Sequence, residues 1–270
     1  MVLAIDIGNS NIVIGCFDGQ KILFRERVST NQTATDLEYA VTIKTALDMY
    51  GIKPTEVTGA IMSSVVPSVT NTLKKAIEKY CNIVPLVVGP GIKTGLSIMI
   101  DNPAQLGSDL VVDAVAGINE YPTPLIIVDM GTATTFSVID KKHNYMGGLI
   151  TTGMAISTEA LVSRTSQLPK IAFEPPKKLI GTNTVDCIKS GILYSNASII
   201  DGIVTRIEEE LGESCTVVAT GGLAGVVAPL CKRDIIIDDD LLLKGLMIIY
   251  NRNCNKKASD SHTFRADSII

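Results

Sequence analysis

The chain has 270 residues, 46% of them apolar, and a formal charge of −4 at neutral pH. An apolar fraction near one half over this length supports a substantial core in one large domain or two ordinary ones, while a mild acidic excess spread along the chain offers no basic footprint for nucleic acid. Asp6 interrupts the first apolar run, no charged leader precedes it, and no stretch reaches the roughly 20 apolar residues of a bilayer span, so a soluble, unexported, cytoplasmic protein with no membrane partner is expected.

In chain order, residues 2–5 and 12–17 are apolar runs on either side of a polar turn from Asp6 to Asn11, the pattern of a strand, a tight loop and an antiparallel strand. Thr35 is placed to cap a helix over 36–50 that Gly51 and Pro54 close. A strand over 57–62, a helix opened by Pro67 and running to about residue 80, a strand over 86–88 and a helix from 107 to about 120 follow. Strands alternating with helical patterns indicate the α/β class. About halfway along, an apolar run at 126–128 leads into Asp129-Met130-Gly131-Thr132-Ala133-Thr134, and 135–139 continue it. This copies Asp6-Ile7-Gly8-Asn9-Ser10-Asn11 without a gap, and duplication of a half-molecule is the economical explanation. Two similar domains are expected, 1–117 and 118–253. In the second half, 155–165 and 184–211 read as helices, the latter with an apolar stripe of Ile188, Ile192, Ile199 and Ile203 whose periodicity favours core. A strand over 217–219 ends at Thr220-Gly221-Gly222, and the polar, aperiodic 254–270 reads as a mobile tail.

The six cysteines stand at wide spacings with no CxxC pair, which excludes a zinc or redox motif and leaves reduced, mostly core thiols. Only His143 and His262 are present, and His143 sits in a polar turn. A general base must then be a carboxylate, and a metal must be held by oxygen.

An Asp at the end of a buried strand followed by Gly-Asn-Ser-Asn suits a phosphate and metal site. Gly8 lets backbone approach a ligand, Asn9, Ser10 and Asn11 can donate to phosphate oxygens, and Asp6 can hold Mg²⁺ directly or through water. An ordinary hairpin turn favours the same residues. Two such loops facing each other across a cleft could grip a nucleotide triphosphate, which simple turns have no reason to do. The Gly221-Gly222 pair would let a base or ribose lie against the backbone.

Paired Asp-Gly loops followed by a late strand-Gly-Gly resemble the actin, chaperone and sugar-kinase superfamily, with two ribonuclease H-like (actin-like ATPase) domains. Within it the chain is similar to the type III pantothenate kinases through Ser63-Ser64-Val65-Val66-Pro67, Asn102-Pro103, Gly107-Ser108-Asp109, Gly147-Gly148, Gly181-Thr182-Asn183-Thr184, Ser190-Gly191 and Asp201-Gly202, in family order over about residues 1–250. The resemblance implies ATP and pantothenate as substrates, a homodimer, and catalysis with Mg²⁺ and a monovalent cation, K⁺ or NH₄⁺. It implies Asp109 as the base that takes the pantothenate hydroxyl proton. The first loop, Asp6, Ile7, Gly8, Asn9, Ser10, Asn11, Ile12 and Val13, would bind ATP phosphates and Mg²⁺. Thr132 would contact the nucleotide, and Asp129 would hold the monovalent cation. Thr184 would contact the acceptor, together with Ile100, Gly107, Ser108, Asp109 and Leu110. From the residues alone, Asp109 lies in the first turn of a helix, where the dipole favours the ionised form and a low pKa.

Two departures concern the acceptor. The family usually carries Arg after the base, where this chain has Leu110, and commonly an aromatic residue where it has Ile100. Guanidinium supplies fixed donors for a carboxylate or phosphate and leucine none. A kinase for a related hydroxylated metabolite, or a nucleotide-binding regulatory paralogue without transfer activity, therefore stand as alternatives to pantothenate phosphorylation.

Overall fold

The structure is a computed structural model in which residues 1–254 are described; the expected tail lies, from residue 255 on, outside the described residues. The elements are β1 (Val2–Ile7), β2 (Asn11–Asp18), β3 (Lys21–Ser29), α1 (Asp36–Met49), β4 (Gly59–Ser64), α2 (Pro67–Cys81), β5 (Leu86–Val87), β6 (Ser97–Ile98), α3 (Ser108–Glu120), β7 (Leu125–Met130), β8 (Ala133–Ile139), β9 (Asn144–Thr152), α4 (Met154–Ser163), α5 (Thr184–Leu211), β10 (Thr216–Thr220), α6 (Ala224–Val227), β11 (Ile236–Ile237) and α7 (Leu241–Cys254). Among the described residues no helix is long and apolar enough to cross a membrane.

The two sheets repeat one topology. The first runs β3-β2-β1-β4-β5, with β1–β2 and β2–β3 antiparallel and β1–β4 and β4–β5 parallel. The second contains the same order and senses in β9-β8-β7-β10-β11 and adds β6 beside β9. The duplication legible in the two Asp-Gly turns is thus a duplication of whole sheets.

Among the described residues two compact units result, one made of residues 1–95, 104–116 and 242–254, the other of 96–103 and 117–241. They differ from a linear division at 117/118, because the last helix packs with the first unit. Gly15, Gly59 and Gly245 are the contact points: Leu243 lies on Gly15, Tyr250 on Gly59, and Gly245 on Val112, each leaving no room for a Cβ.

Alternation along the strands sorts the two faces. Leu3, Ile5 and Ile7 of β1 join Tyr39, Ile43 and Leu47 of α1 and Leu73 and Ile77 of α2 in one core. Burying each such aliphatic side chain contributes about 1.5–3 kcal/mol. In the second unit Ile126, Val128 and Met130 of β7 meet Ile192, Ile200 and Val204 of α5. Asp6 and Asp129 occupy the alternate positions and point off the opposite face. Helix α1 starts where Thr35 and Glu38 close a reciprocal capping box, which satisfies two otherwise orphaned N–H groups.

Along α5 the expected stripe divides: Ile188 and Ile192 are buried, Ile203 packs against the core, and Ile199 is exposed. All six cysteines are free; Cys16 and Cys81 are buried, and Cys187 is exposed. Burial pushes the Cys16 and Cys81 thiols up to about 11, as expected of inert core residues.

Candidate active site

In the first unit, β1 and β4 run parallel with Asp6 opposite Ser63 and Ile7 opposite Ser64. That register carries the Ser63 hydroxyl, fully buried, to Asp6, where it donates to Oδ1. The turn that follows is closed by the Gly8 N–H donating to the Asn11 carbonyl at 3.0 Å and held by Thr30, whose hydroxyl donates to the Gly8 carbonyl at 2.6 Å. Asn9, Ser10 and Asn11 are exposed. Ile7 and Ile12 are buried in the core, so only their main-chain groups could reach a ligand. Asp6 lies within β1, one residue before its end, rather than in the turn.

One residue further along β4, the Ser64 N–H donates to Ser108 Oγ at 3.1 Å, and Ser108 Oγ donates back to the Ser64 carbonyl at 3.0 Å. Ser108 is the first residue of α3 and Asp109 the second. The Asp109 carboxylate accepts the Leu110 N–H at 2.9 Å and curls back over Gly107, filling the space that a Cβ there would need. The structure therefore brings Asp6, Gly107, Ser108, Asp109 and Leu110 into one unit, with the end of β4 as their common attachment.

Asp109 corrects an electrostatic expectation. Its place in a first turn suggested a depressed pKa, but burial pushes the carboxyl up, and the N–H groups of Leu110 and Asp109 offset this only in part. Removal from water outweighs the helix dipole. A carboxylate raised in this way is a stronger base than an exposed one.

In the second unit Asp129 stands opposite Thr220 of β10 and Thr135 of β8. The β7–β8 turn is one residue tighter than its counterpart: Asp6 pairs with Val13, seven residues on, whereas Asp129 pairs with Thr135, six on. The ungapped match of the two motifs thus ends within the turn, where the Gly131 N–H donates to the Ala133 carbonyl at 3.0 Å. Two glycines press on this turn. Gly221, at φ +93°, would place a Cβ 2.5 Å from Asp129 Oδ1, and Gly153 lies against the Gly131 and Thr132 carbonyls. The late Gly-Gly element is therefore a packing partner of the Asp129 loop. The Thr135 hydroxyl is buried with no hydrogen-bond partner among the described residues.

Thr184 lines a different feature. It opens α5 beside Asn183, whose side chain caps the helix through the Asp186 N–H at 2.9 Å, and it borders an open groove of about 700 Å³ with Leu161, Leu168, Cys187 and Gly191. Ile100 is half-buried near Gly147 of β9.

Oxygen donors dominate these sites. Among the described residues no three His, Cys, Asp or Glu side chains cluster as a metal centre. One carboxylate plus the phosphate oxygens of a nucleotide is the usual way Mg²⁺ is held, and Asp6 beside an exposed polar turn fits it.

The sequence model of the family described as type III pantothenate kinase matches residues 2–206. The chain belongs to the type III pantothenate kinase family. The family's member from an Exiguobacterium species is 46% identical over 94% of this chain and 99% of its own length, and that from Bacillus cytotoxicus 46% identical over 94% and 97%. Among solved structures, the activator of the 2-hydroxyisocaproyl-CoA dehydratase from Clostridium difficile, with bound ADPNP, superposes with a TM-score of 0.59 at 14% identity, covering 100% of this chain and 99% of that one. Component A of the Acidaminococcus fermentans (R)-2-hydroxyglutaryl-CoA dehydratase gives 0.54 at 16% identity, covering 96% and 98%. At such identities these likenesses speak for the fold alone, that of the actin-like ATPases.

Within the family setting, Ser63 and Ser64 acquire a meaning that the chain order hid. They were legible as a motif but not as partners of Asp6 and Ser108, because those contacts span 57 and 44 residues. The parallel register of β1 with β4 was the missing signal.

Proposed function

We infer that the chain transfers the γ-phosphoryl group of ATP to the hydroxyl of pantothenate, the entry step of coenzyme A biosynthesis. The observation that carries this reading is the near-complete match to the family, 46% identity over 94% of the chain, with Asp6 and Asp109 both present in the expected order. In it, the exposed turn from Gly8 to Asn11 receives the triphosphate and Asp6 orients the magnesium-bound phosphates. Mg²⁺ there supplies charge neutralisation for the transferred group. Asp109 accepts the hydroxyl proton as the new O–P bond forms and the bond to the ADP oxygen breaks; its raised pKa suits that step. Thr132 contacts the nucleotide, and Asp129 holds a monovalent cation, K⁺ or NH₄⁺, a role that the partnerless hydroxyl of Thr135 across the strand pair supports.

Thr184, Ile100 and the 107–110 segment contact the acceptor. A homodimer is part of this reading, supported by exposed apolar side chains on the second unit, Ile150, Leu179, Ile180 and Ile199 among them. A cytoplasmic location belongs to the same reading, and membership of the family supports it. A second reading, a kinase for a related hydroxylated metabolite, draws on Leu110 and Ile100, which offer an acceptor carboxylate no donor beyond the main chain.

The test is a coupled assay of ADP release with Mg²⁺ and K⁺ present, with and without pantothenate. Release that depends on pantothenate is expected. ATP binding by calorimetry without pantothenate-dependent release would overturn the assignment, and release with a different hydroxylated acceptor would favour the second reading.

A further inference from the structure

We propose that the Ser63–Ser64 dipeptide at the end of β4 is the positioning element of the reaction, one serine orienting the metal-side carboxylate and the next seating the helix that carries the base. This rests on the roles proposed for Asp6 and Asp109. Ser63 is fully buried, and its hydroxyl donates to Asp6 Oδ1. Its neighbour Ser64 turns its main-chain groups the other way and makes two bonds to the single hydroxyl of Ser108, its N–H donating at 3.1 Å and its carbonyl accepting at 3.0 Å. A third hydroxyl locks the join: Thr70 Oγ1 donates to Ser64 Oγ at 2.7 Å, and the Val66 N–H donates to the same Ser64 oxygen at 3.1 Å.

The geometry follows from the strand. Successive residues present their side chains to opposite faces. Ser63 therefore shares the face of Asp6, and the Ser64 side chain turns to the α2 side, where it meets Thr70, a residue of α2. On the other side of β4 the register with β5 stops at Met62 opposite Val87, and Ser64's peptide groups receive Ser108 instead. Two consecutive residues on one rigid strand thus fix the origin of two catalytic carboxylates. Phosphoryl transfer depends on alignment to within a fraction of an ångström, and side chains held on strands and helices achieve it better than loops.

Two substitutions separate the arms of this yoke. Ser63→Ala removes a charge-assisted hydrogen bond from Asp6, so the Mg²⁺ concentration for half-maximal rate, and that needed for half-maximal ATP binding by calorimetry in the absence of acceptor, should each rise about tenfold, with the acid limb of the pH profile set by Asp109 unmoved. Ser108→Ala unseats the start of α3; kcat should fall about tenfold at unchanged Mg²⁺ dependence. With Asp109 more exposed, the acid limb of its pH profile should move to lower pH, since less burial means a lower carboxyl pKa. Ser63→Thr keeps the hydroxyl and should retain most of the parental Mg²⁺ dependence. Ser137→Ala, which removes a buried hydroxyl bonded to Tyr145 in the second unit, controls for the generic loss of a buried hydroxyl and should leave both profiles unchanged.

Parental Mg²⁺ dependence in Ser63→Ala together with parental kcat and pH profile in Ser108→Ala would overturn the proposal, as would equal loss of rate in both variants with no change in either profile. If Ser63→Ala does not accumulate as folded protein, Ser108→Ala decides alone by the same criteria. Asp6→Asn and Asp109→Asn separate the two levels: turnover retained in both would remove the underlying roles, whereas turnover lost in both beside parental serine variants would remove the positioning alone.

Discussion

The two Asp-Gly turns share a backbone plan and differ in how they are wired. The first is open: Asn9, Ser10 and Asn11 are exposed, and Asp6 is braced by a buried serine on the neighbouring strand. The second is shorter by one residue and enclosed, with Gly153 and Gly221 packed on it and a buried threonine hydroxyl opposite Asp129 that has no partner among the described residues. An open turn suits large, hydrated phosphates that arrive and leave each cycle. An enclosed turn with a spare oxygen suits a small, desolvated cation. Duplication supplied the scaffold twice, and under the proposed roles the difference of one residue in the hairpin suits the copies to different ligands.

The largest expected effects test whether each carboxylate is needed. Asp109→Asn should lower kcat by about 10²–10⁴ while circular dichroism stays parental. Asp6→Ala and Asp129→Ala should each abolish detectable turnover, yet only Asp129→Ala should regain activity as K⁺ is raised. Rescue of Asp6→Ala by K⁺, or of neither, would erase the distinction between the turns.

Next comes the contrast in packing. Gly221→Ala forces a Cβ against Asp129 Oδ1 at a φ that side chains avoid, so a loss of about 2 kcal/mol of stability and at least tenfold in rate is expected by thermal melting and turnover. Gly8→Ala meets only the Asn11 carbonyl at 3.0 Å without a positive φ and should cost less. Equal losses would mean that the turns are packed alike.

Linkage provides a smaller effect with a defined sign. The folded-state pKa of Asp109 lies above its unfolded value, so the protein is favoured by protonation there, and that contribution is complete below about pH 4 and lost as pH rises through the folded pKa. Asp109→Asn should therefore raise Tm at neutral pH, with the gain vanishing toward pH 4. Thr135→Val should raise the K⁺ needed for half-maximal rate severalfold without lowering Tm, as measured by K⁺ titration and melting. The remaining test is Leu110→Arg: a restored donor for an acceptor carboxylate should lower KM for pantothenate about tenfold. A weaker native activity instead would mean that the pocket is shaped for another acceptor.

Much of the frame was legible in the sequence because local signals set it. The Thr35 cap with Gly51 and Pro54 beyond α1, Pro67 at the start of α2, and the long periodicity of α5 place those helices to within a residue or two. Strands β3 and β9 and helix α7 went unread for identifiable reasons. Strand β3 interrupts its apolar residues with the consecutive charges Arg25, Glu26 and Arg27 and buries only Phe24, which weakens its apolar signal, and β9 carries Gly147 and Gly148. Gly148 is there because the Phe136 carbonyl of β8 occupies the place of its side chain. Helix α7 contains Gly245 for the same kind of reason, the Val112 carbonyl. Of the site, the carboxylates were legible and their supports were not, since the contacts of Ser63 with Asp6 and Gly221 with Asp129 depend on strand register. The environment of Asp109 was misjudged because a helix terminus is visible in a sequence and desolvation is not.

The packing of α7 on Gly15, Gly59 and Val112 has a consequence for biogenesis. Domains ordinarily fold in the order in which they are synthesised, but the amino-terminal unit here lacks one wall until the final helix is made. The second unit, continuous from Gly117 to Leu241 apart from the 96–103 segment, has all its strands earlier. The half that begins first must therefore finish last, waiting with Gly15 and Gly59 uncovered until Leu243 and Tyr250 arrive.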